Sequence, residues 1–154
     1  MRRIIVLEEE FKDEIWDILH VVKVGAEKVL HPIVQPEGLT VIQTYVLFAV
    51  QKYEIITVGN LSKIFEINQG NVSTTCKKLE RLGFIYRVRQ SEDERIVSLS
   101  LTEHGRQALK NIRERAKKYD PILRTIPKEK FQVILNGFSE LNELFKLLGT
   151  VEVK

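Results

Sequence analysis

The chain has 154 residues, 44% hydrophobic and 29% charged, which suits about one soluble domain and excludes a largely disordered chain. Its single cysteine excludes an intrachain disulfide scaffold, and its longest apolar runs are too short for a membrane span or a signal peptide. The formal net charge is only +3, but bases outnumber acids in the middle of the chain, where a polyanion would be attracted. We therefore expect a cytoplasmic protein.

A long amphipathic helix is predicted first, over residues 8–31. Apolar side chains recur there every three or four positions, which is the spacing of one helix face. Pro32 follows, and an interior proline usually ends a helix, so the predicted end is near His31.

Capping signals predict three shorter helices in the centre of the chain. Thr40 and Gln43 have the spacing of a capping box, and the helix that they open should run to about Lys52. Thr57 and Asn68 can cap the next two helices. Apolar side chains on one face of the Thr57 helix are Leu61, Ile64 and Phe65. Those predicted to face inward from the Asn68 helix are Val72, Cys76, Leu79 and Leu82.

After Gly83, which can provide a left-handed helix stop, the apolar spacing becomes strand-like. Residues 84–89 and 96–101 predict a two-stranded hairpin around a polar connection at 90–94. Thr102 can then cap another helix. The apolar positions of that helix are Ala108, Leu109, Ile112, Ala116 and Tyr119. Two short helices followed by a hairpin predict a winged helix-turn-helix.

The last predicted helix spans residues 128–148, with Pro127 in its first turn. Its apolar residues step by three and four, like the seam of a coiled coil. Together with the first helix it carries more apolar surface than one small winged helix can cover. Either a second copy of the chain buries this surface or the two terminal helices pack on each other. Residues predicted at a dimer interface are Phe11, Ile15, Val22, Phe138, Leu141, Phe145 and Leu148.

The helix after Asn68 has a polar face typical of a DNA-reading helix, with side chains that can reach base edges or phosphates. The predicted DNA-binding residues on it are Gln69, Asn71, Ser73, Thr74, Thr75, Lys77 and Lys78. Those in the hairpin are Arg87, Arg89, Asp93 and Arg95. Arg95 would reach the minor groove or the backbone, and Asp93 would hold its guanidinium or the shape of the hairpin tip. The alternatives are an ordinary solvated helix face and a surface hairpin with weak local ion pairs.

Several segments carry a family resemblance: Leu39–Leu47, Thr57–Leu61, Val72–Arg87, and above all Asp93-Glu94-Arg95 followed by Leu99–Gly105. On these residues the chain resembles the MarR family of bacterial and archaeal transcription regulators. The resemblance implies terminal helices that interlock two subunits, residues 69–78 as the recognition stretch, and Asp93 and Arg95 as the wing acid and the wing arginine. It also implies a small aromatic effector between the dimer helices and the winged helix. Phe11, Trp16 and Tyr45 could line such a crevice, or they could be ordinary core residues.

The predicted fold class is mainly α with a small β-hairpin, a winged helix-turn-helix with N- and C-terminal dimerisation helices. Residues 1–38 and 120–154 would be the dimerisation helices, 39–105 the DNA-binding domain and 106–119 a linking helix. The predicted function is a sequence-specific double-stranded DNA-binding transcription regulator. It would be a ligand-relieved repressor that acts as a homodimer on a pseudo-palindromic operator. A winged helix used as a protein–protein interaction module is the alternative.

No catalytic, metal or cofactor site is predicted. The three histidines, at 20, 31 and 104, have no partners at zinc-binding spacing. Cys76 lies among apolar positions of its helix, which indicates a buried, unreactive thiol rather than a redox switch.

Overall fold

A computed structural model describes the backbone of residues 2–53, 55–89 and 97–150. The described chain is mostly helical, with one three-stranded antiparallel sheet. The helices are α1 (Arg2–Val34), α2 (Val41–Lys52), α3 (Val58–Phe65), α4 (Gln69–Arg81), α5 (Glu103–Ala116), α6 (Asp120–Leu123) and α7 (Lys128–Leu148). The strands are β1 (Ile56–Thr57), β2 (Ile85–Arg89) and β3 (Val97–Leu101). Two compact units are distinguished, residues 1–115 and 116–154. This order confirms the predicted fold class.

The end of α1 differs from the prediction, because the helix includes Pro32 and continues to Val34. A proline this close to the end removes a single backbone donor. Ile33 and Val34 are buried, and their burial outweighs that loss. The predicted stop near His31 was therefore wrong. A 3₁₀ turn over Gln35–Glu37 then leads towards α2.

The predicted caps of the central helices are confirmed. The backbone N–H of Gln43 donates to Thr40 Oγ1 over 3.3 Å, and the Thr40 N–H donates to Gln43 Oε1 over 2.9 Å. Thr57 forms a second capping box with Asn60, which sequence reasoning did not pair with it. Asn68 Oδ1 accepts from the backbone N–H of Gly70 over 2.8 Å. These short-range bonds fix the starts of α2, α3 and α4.

The sheet has one more strand than the predicted hairpin. Its order is β1-β3-β2, so β3 pairs with both neighbours. β1 comes just before α3, and Ile56 is opposite Leu99. β2 and β3 form the expected antiparallel pair, with Ile85 opposite Leu101. Ser98 is buried, and its hydroxyl donates to the Val88 carbonyl over 3.2 Å.

The core of the first unit lies between α2, α3, α4, α5 and the sheet. Its fully buried side chains include Leu47, Ile56, Leu61, Cys76, Leu79, Ile85, Leu99 and Leu109. Leu82 is 41% exposed, which contradicts its predicted inward position. α4 ends at Arg81, so the helical periodicity that predicted burial no longer applies at Leu82. Gly83 has φ +78°, the predicted left-handed stop.

The start of α5 is tied to the end of α4 by Thr102. Its hydroxyl donates to the Gly83 carbonyl over 2.6 Å and accepts from the Gly105 N–H over 3.0 Å. Three predicted apolar positions of α5 are buried: Ala108, Leu109 and Ile112. Tyr119 lies in a separate 3₁₀ turn, Lys117–Tyr119, because α5 ends at Ala116.

The second unit contains α6 and α7. Pro127 is the residue just before α7 rather than in its first turn, and its φ of −58° suits a helix entry. No residue of Lys128–Leu148 is buried within the described chain. Among the residues predicted at the dimer interface, Phe11, Val22, Phe138, Phe145 and Leu148 are exposed, and Ile15 and Leu141 are half-buried.

Among the described helices, none alone combines the length and apolar character needed to cross a membrane. Only the pair Phe11–Glu37 and Val41–Lys52, bent by 71°, meets that requirement jointly by length and composition.

Candidate nucleic-acid interface

α4 presents two chemically different faces. Val72, Cys76 and Leu79 point into the core. Most of the predicted DNA-binding side chains on this helix are exposed, namely Gln69, Asn71, Thr74, Lys77 and Lys78, whereas Ser73 and Thr75 are half-buried. The structure therefore brings amide, hydroxyl and ammonium groups together along one exposed side of a helix. These groups can hydrogen-bond to base edges and to phosphates.

A tight turn sets the position of α4 after α3. Glu66 has φ +52°, and the chain reverses there. The Ser62 hydroxyl donates to the Ile67 carbonyl over 2.6 Å, and the Ile67 N–H donates to the Ser62 carbonyl over 3.2 Å. With the Asn68 cap, these bonds complete the helix-turn-helix geometry.

Thr74 and its half-buried neighbour Thr75 are already engaged as hydrogen-bond donors. Thr74 Oγ1 donates to the Gly70 carbonyl, and Thr75 Oγ1 donates to the Asn71 carbonyl, both over 3.0 Å. A hydroxyl has one proton, so each threonine keeps acceptor lone pairs and a methyl group for an external partner. Contact with a thymine methyl or an amino group is compatible with this state.

Arg87 is held by an ion pair that the sequence did not predict. Its Nε lies 3.0 Å from Glu80 Oε2, so β2 is joined to α4 across Gly83. Both side chains are about one-third exposed (34% and 40%), so the pair itself adds little stability. Its consequence is electrostatic, because Glu80 offsets part of the positive charge that Arg87 would offer a phosphate.

Three predicted wing residues lie wholly or partly outside the described part of the chain. Asp93 and Arg95 lie outside the described residues, and the side chain of Arg89 is not described. Arg81, which was not among the predicted contacts, is exposed in the last turn of α4. Its distance of four residues from Lys77 is the signal that could have added it to the same helix side.

Cys76 is fully buried on the core side of α4. Desolvation raises the pKa of its thiol to about 11, the Arg87 charge lowers that pKa and the Glu80 charge raises it. The thiol is therefore protonated at neutral pH, and a protonated thiol is a poor nucleophile. This agrees with the predicted unreactive cysteine.

Three arginines in the basic stretch 106–118 have partners within the fold. Arg106 Nε contacts Glu103 over 2.9 Å, and its Nη1 donates to the Leu101 carbonyl. Arg113 hydrogen-bonds to Gln51. Arg115 contacts Glu37. The positive charge of this stretch is thus partly used to hold elements of the fold together.

A mainly apolar cavity of about 290 Å³ lies beside α4. It is lined by α2 through Ile42, Tyr45 and Val46, and by the α3–α4 region through Phe65, Ile67, Asn71, Val72 and Thr75. The predicted effector residue Tyr45 lines it, whereas Phe11 and Trp16 do not and are exposed on α1. Among the described residues, no group of three or more His, Cys, Asp or Glu could hold a metal ion.

Comparison with known proteins gives consistent matches. A family model described as the transcriptional regulator SarA/Rot matches residues 28–112, more than half of the chain. The regulator SarZ of Staphylococcus haemolyticus is 34% identical over 67 residues, which cover 44% of this chain and 46% of SarZ. The chain therefore spans about half the length of the curated relatives it matches.

Solved structures extend the likeness to most of the fold. A mutant MarR of E. coli complexed with operator DNA has a TM-score of 0.72 and 18% identity, over 83% of this chain and 93% of that chain. Staphylococcus aureus MarR in complex with salicylate and kanamycin has a TM-score of 0.73 and 19% identity, over 89% and 93%. The chain therefore belongs to the SarA/Rot family of transcriptional regulators and has the winged-helix fold of the MarR regulators that its sequence resembles.

Proposed function

We propose that this protein represses transcription by binding duplex DNA as a homodimer, with α4 of each subunit in a major groove. The observation that carries the proposal is the exposed side of α4, where Asn71, Thr74, Lys77 and Lys78 lie away from the buried Val72, Cys76 and Leu79, with Gln69 exposed at the start of the helix. Base edges would be read by the amide and hydroxyl groups, and phosphates would be contacted by the lysines.

The salt dependence of DNA binding tests this proposal. Each phosphate neutralised by a lysine contributes about −0.9 to the slope of log K against log salt concentration. Lys77→Ala should therefore flatten the slope by about one unit and weaken binding across sequences. Lys110→Ala is the matched control, because Lys110 is an exposed lysine on α5 outside the proposed interface. Fluorescence anisotropy with a labelled duplex at several salt concentrations measures both variants.

The outcome also separates the proposal from its alternative. No binding to random duplex DNA at about 50 mM salt would favour the protein-interaction module and refute the regulator. If the salt slopes of Lys77→Ala and Lys110→Ala are equal, α4 does not contact the DNA as proposed. Arg95→Ala should likewise flatten the slope by about one unit, which tests the wing arginine predicted from the sequence.

The homodimer is proposed from the apolar side chains that α1 and α7 leave exposed. Phe138 is 50% exposed and Leu148 is 52% exposed, and a single soluble chain rarely leaves such a stripe uncovered. A symmetric second copy would cover it and place two α4 helices about one turn of DNA apart. Light scattering after gel filtration should give twice the chain mass, and Phe138→Glu should give the single-chain mass.

A small aromatic effector is proposed to relieve repression. The support is the apolar cavity beside α4, together with the salicylate found in the complex of a structurally similar regulator. A ligand between α2 and α4 would shift α4 and so disturb the simultaneous fit of both half-sites. Salicylate titrated into the protein–DNA complex should lower DNA affinity, and Tyr45→Ala should change the concentration required. An effect that is unaltered by Tyr45→Ala would place the effector elsewhere.

A further inference from the structure

The junction after α1 is short of backbone hydrogen bonds. Pro32 and Pro36 have no N–H, so two donors that would continue the helical ladder are missing within five residues. The following turn is closed by a backbone bond from the Gly38 N–H to the Gln35 carbonyl over 2.8 Å. Without other contacts, such a segment would let a helix change direction.

Arg115 supplies the contacts that the backbone lacks. Its Nε donates to the Ile33 carbonyl over 2.8 Å, and its Nη2 donates to Glu37 Oε1 over 2.6 Å. Asn111 Nδ2 adds a longer contact of 3.5 Å to Glu37 Oε2. The side chains of Arg115 and Glu37 are only 30% and 13% exposed, so water screens this pair less than it screens the Arg87–Glu80 and Arg106–Glu103 pairs.

The two sides of this contact belong to different parts of the proposed regulator. Ile33 lies in the last turn of α1, which carries part of the proposed dimer surface, and Glu37 lies in the 3₁₀ turn that follows. Arg115 lies at the end of α5, whose buried Leu109 and Ile112 anchor it in the winged-helix core. One guanidinium therefore joins the proposed dimerisation helix to the domain that presents α4.

We propose that Arg115 is a positioning residue that fixes the direction in which α1 leaves the winged helix, and through it the spacing of the two DNA half-sites. This inference rests on the proposed DNA-binding homodimer. α1 has 33 residues, which at 1.5 Å per residue make a lever of about 50 Å. A swing of about 10° at its base would move the far end by roughly 9 Å, more than the rise of two base pairs.

The first experiment measures the hinge directly and needs no DNA. Spin labels are attached at Lys23→Cys on α1 and Lys63→Cys on α3, both exposed, in a Cys76→Ala background. Labelled chains are diluted tenfold with unlabelled ones, so that distances within one chain dominate the signal. Arg115→Ala should widen the distance distribution at least twofold. An unchanged width would overturn the proposal.

Arg106→Ala is the matched control. Arg106 is also on α5 and also bridges a carboxylate and a backbone carbonyl, but its partners Glu103 and Leu101 lie away from α1. Arg106→Ala should leave the distance distribution unchanged. If both variants widen it equally, the widening comes from a general loss of stability in α5, and the proposal is wrong. Glu37→Gln should widen the distance distribution less than Arg115→Ala does. It replaces Arg115→Ala as the test if Arg115→Ala does not fold. Arg115→Lys, which keeps the charge but not the two-point contact, should be intermediate.

The second experiment connects the hinge to DNA. Duplexes are selected from a random library with the wild-type protein, and two base pairs are inserted at the centre of the best binder. Wild type and Arg106→Ala should lose at least tenfold in affinity, whereas Arg115→Ala should lose less than threefold. Equal losses would overturn the spacing role. Failure to select any duplex would refute the proposed function, and the distance measurement would still decide the hinge.

Discussion

Replacing Gly105 by alanine should test how closely α5 packs against the sheet. A Cβ on Gly105 would lie 2.1 Å from the Phe84 carbonyl oxygen and 3.3 Å from a Leu101 methyl group. The first distance is far inside van der Waals contact, and the atom it meets is backbone. The Phe84 carbonyl also accepts the N–H of Thr102 over 3.0 Å, so it cannot move without straining the start of α5.

The expected cost follows from these contacts. Overpacking of this kind costs about 1–3 kcal/mol, and weakening the hydrogen bond to Thr102 adds about 1 kcal/mol. Alanine is the better helix former and returns up to about 1 kcal/mol. We therefore expect Gly105→Ala to lower the free energy of unfolding by roughly 2–3 kcal/mol and Tm by roughly 5–12 °C.

Urea and thermal unfolding followed by circular dichroism at one protein concentration measure this effect. Gly59→Ala is the control, because a Cβ there would meet only Thr57 Oγ1 at an ordinary 3.7 Å. Gly59→Ala should be neutral or stabilising by up to about 1 kcal/mol. If Gly105→Ala is as stable as Gly59→Ala, the close approach of α5 to Phe84 is wrong.

Three further predictions concern other parts of the first unit. Thr40→Ala removes the capping box of α2 and should cost about 1–2 kcal/mol in urea unfolding, whereas Thr40→Ser should cost much less; equal losses would deny the cap. The pKa of the Cys76 thiol is raised from 9.0 in the unfolded chain to about 11 in the folded chain. The contribution of the protonated thiol to the free energy of unfolding is therefore fully present below pH 9 and is lost as the pH rises through 11. Between pH 8 and 10.5, wild type should lose about 2 kcal/mol more unfolding free energy than Cys76→Ala, and parallel losses would contradict the raised pKa. Glu80→Gln frees Arg87 and removes a negative charge from α4, so it should tighten DNA binding several-fold while unfolding changes by less than about 1 kcal/mol; weaker binding would show that the ion pair orders the interface.

Features set by neighbouring residues were predictable from the sequence. The caps at Thr40, Asn68 and Thr102 depend on side chains and backbone groups at most four positions apart, so a local pattern is sufficient. The polar and apolar sides of α4 follow from helical periodicity for the same reason. The candidate DNA-binding face could therefore be assigned residue by residue on α4, and it stays a prediction there until binding is measured.

Features that join distant parts of the chain were not predictable. β1 is two residues long and exists only because β3 is next to it, so no local alternation signals it. Arg115 and Glu37 are in contact although they are 78 residues apart in the sequence. In the sequence, Arg115 is only one of several neighbouring basic residues. The partner of Arg87 was missed because Glu80 is separated from it by a chain reversal. In each case the sequence gives the chemical groups but not their proximity.

The pairing of β1 with β3 has a consequence for how this molecule can respond to a signal. β1 leads directly into α3, and β3 is one of the two wing strands, so a single sheet binds the helix-turn-helix to the wing. The helix-turn-helix and the two wing strands are therefore joined through one sheet, which is assembled from segments far apart in the chain and is expected to fold cooperatively. An allosteric signal that left this sheet intact would have to move α3 and the two wing strands together.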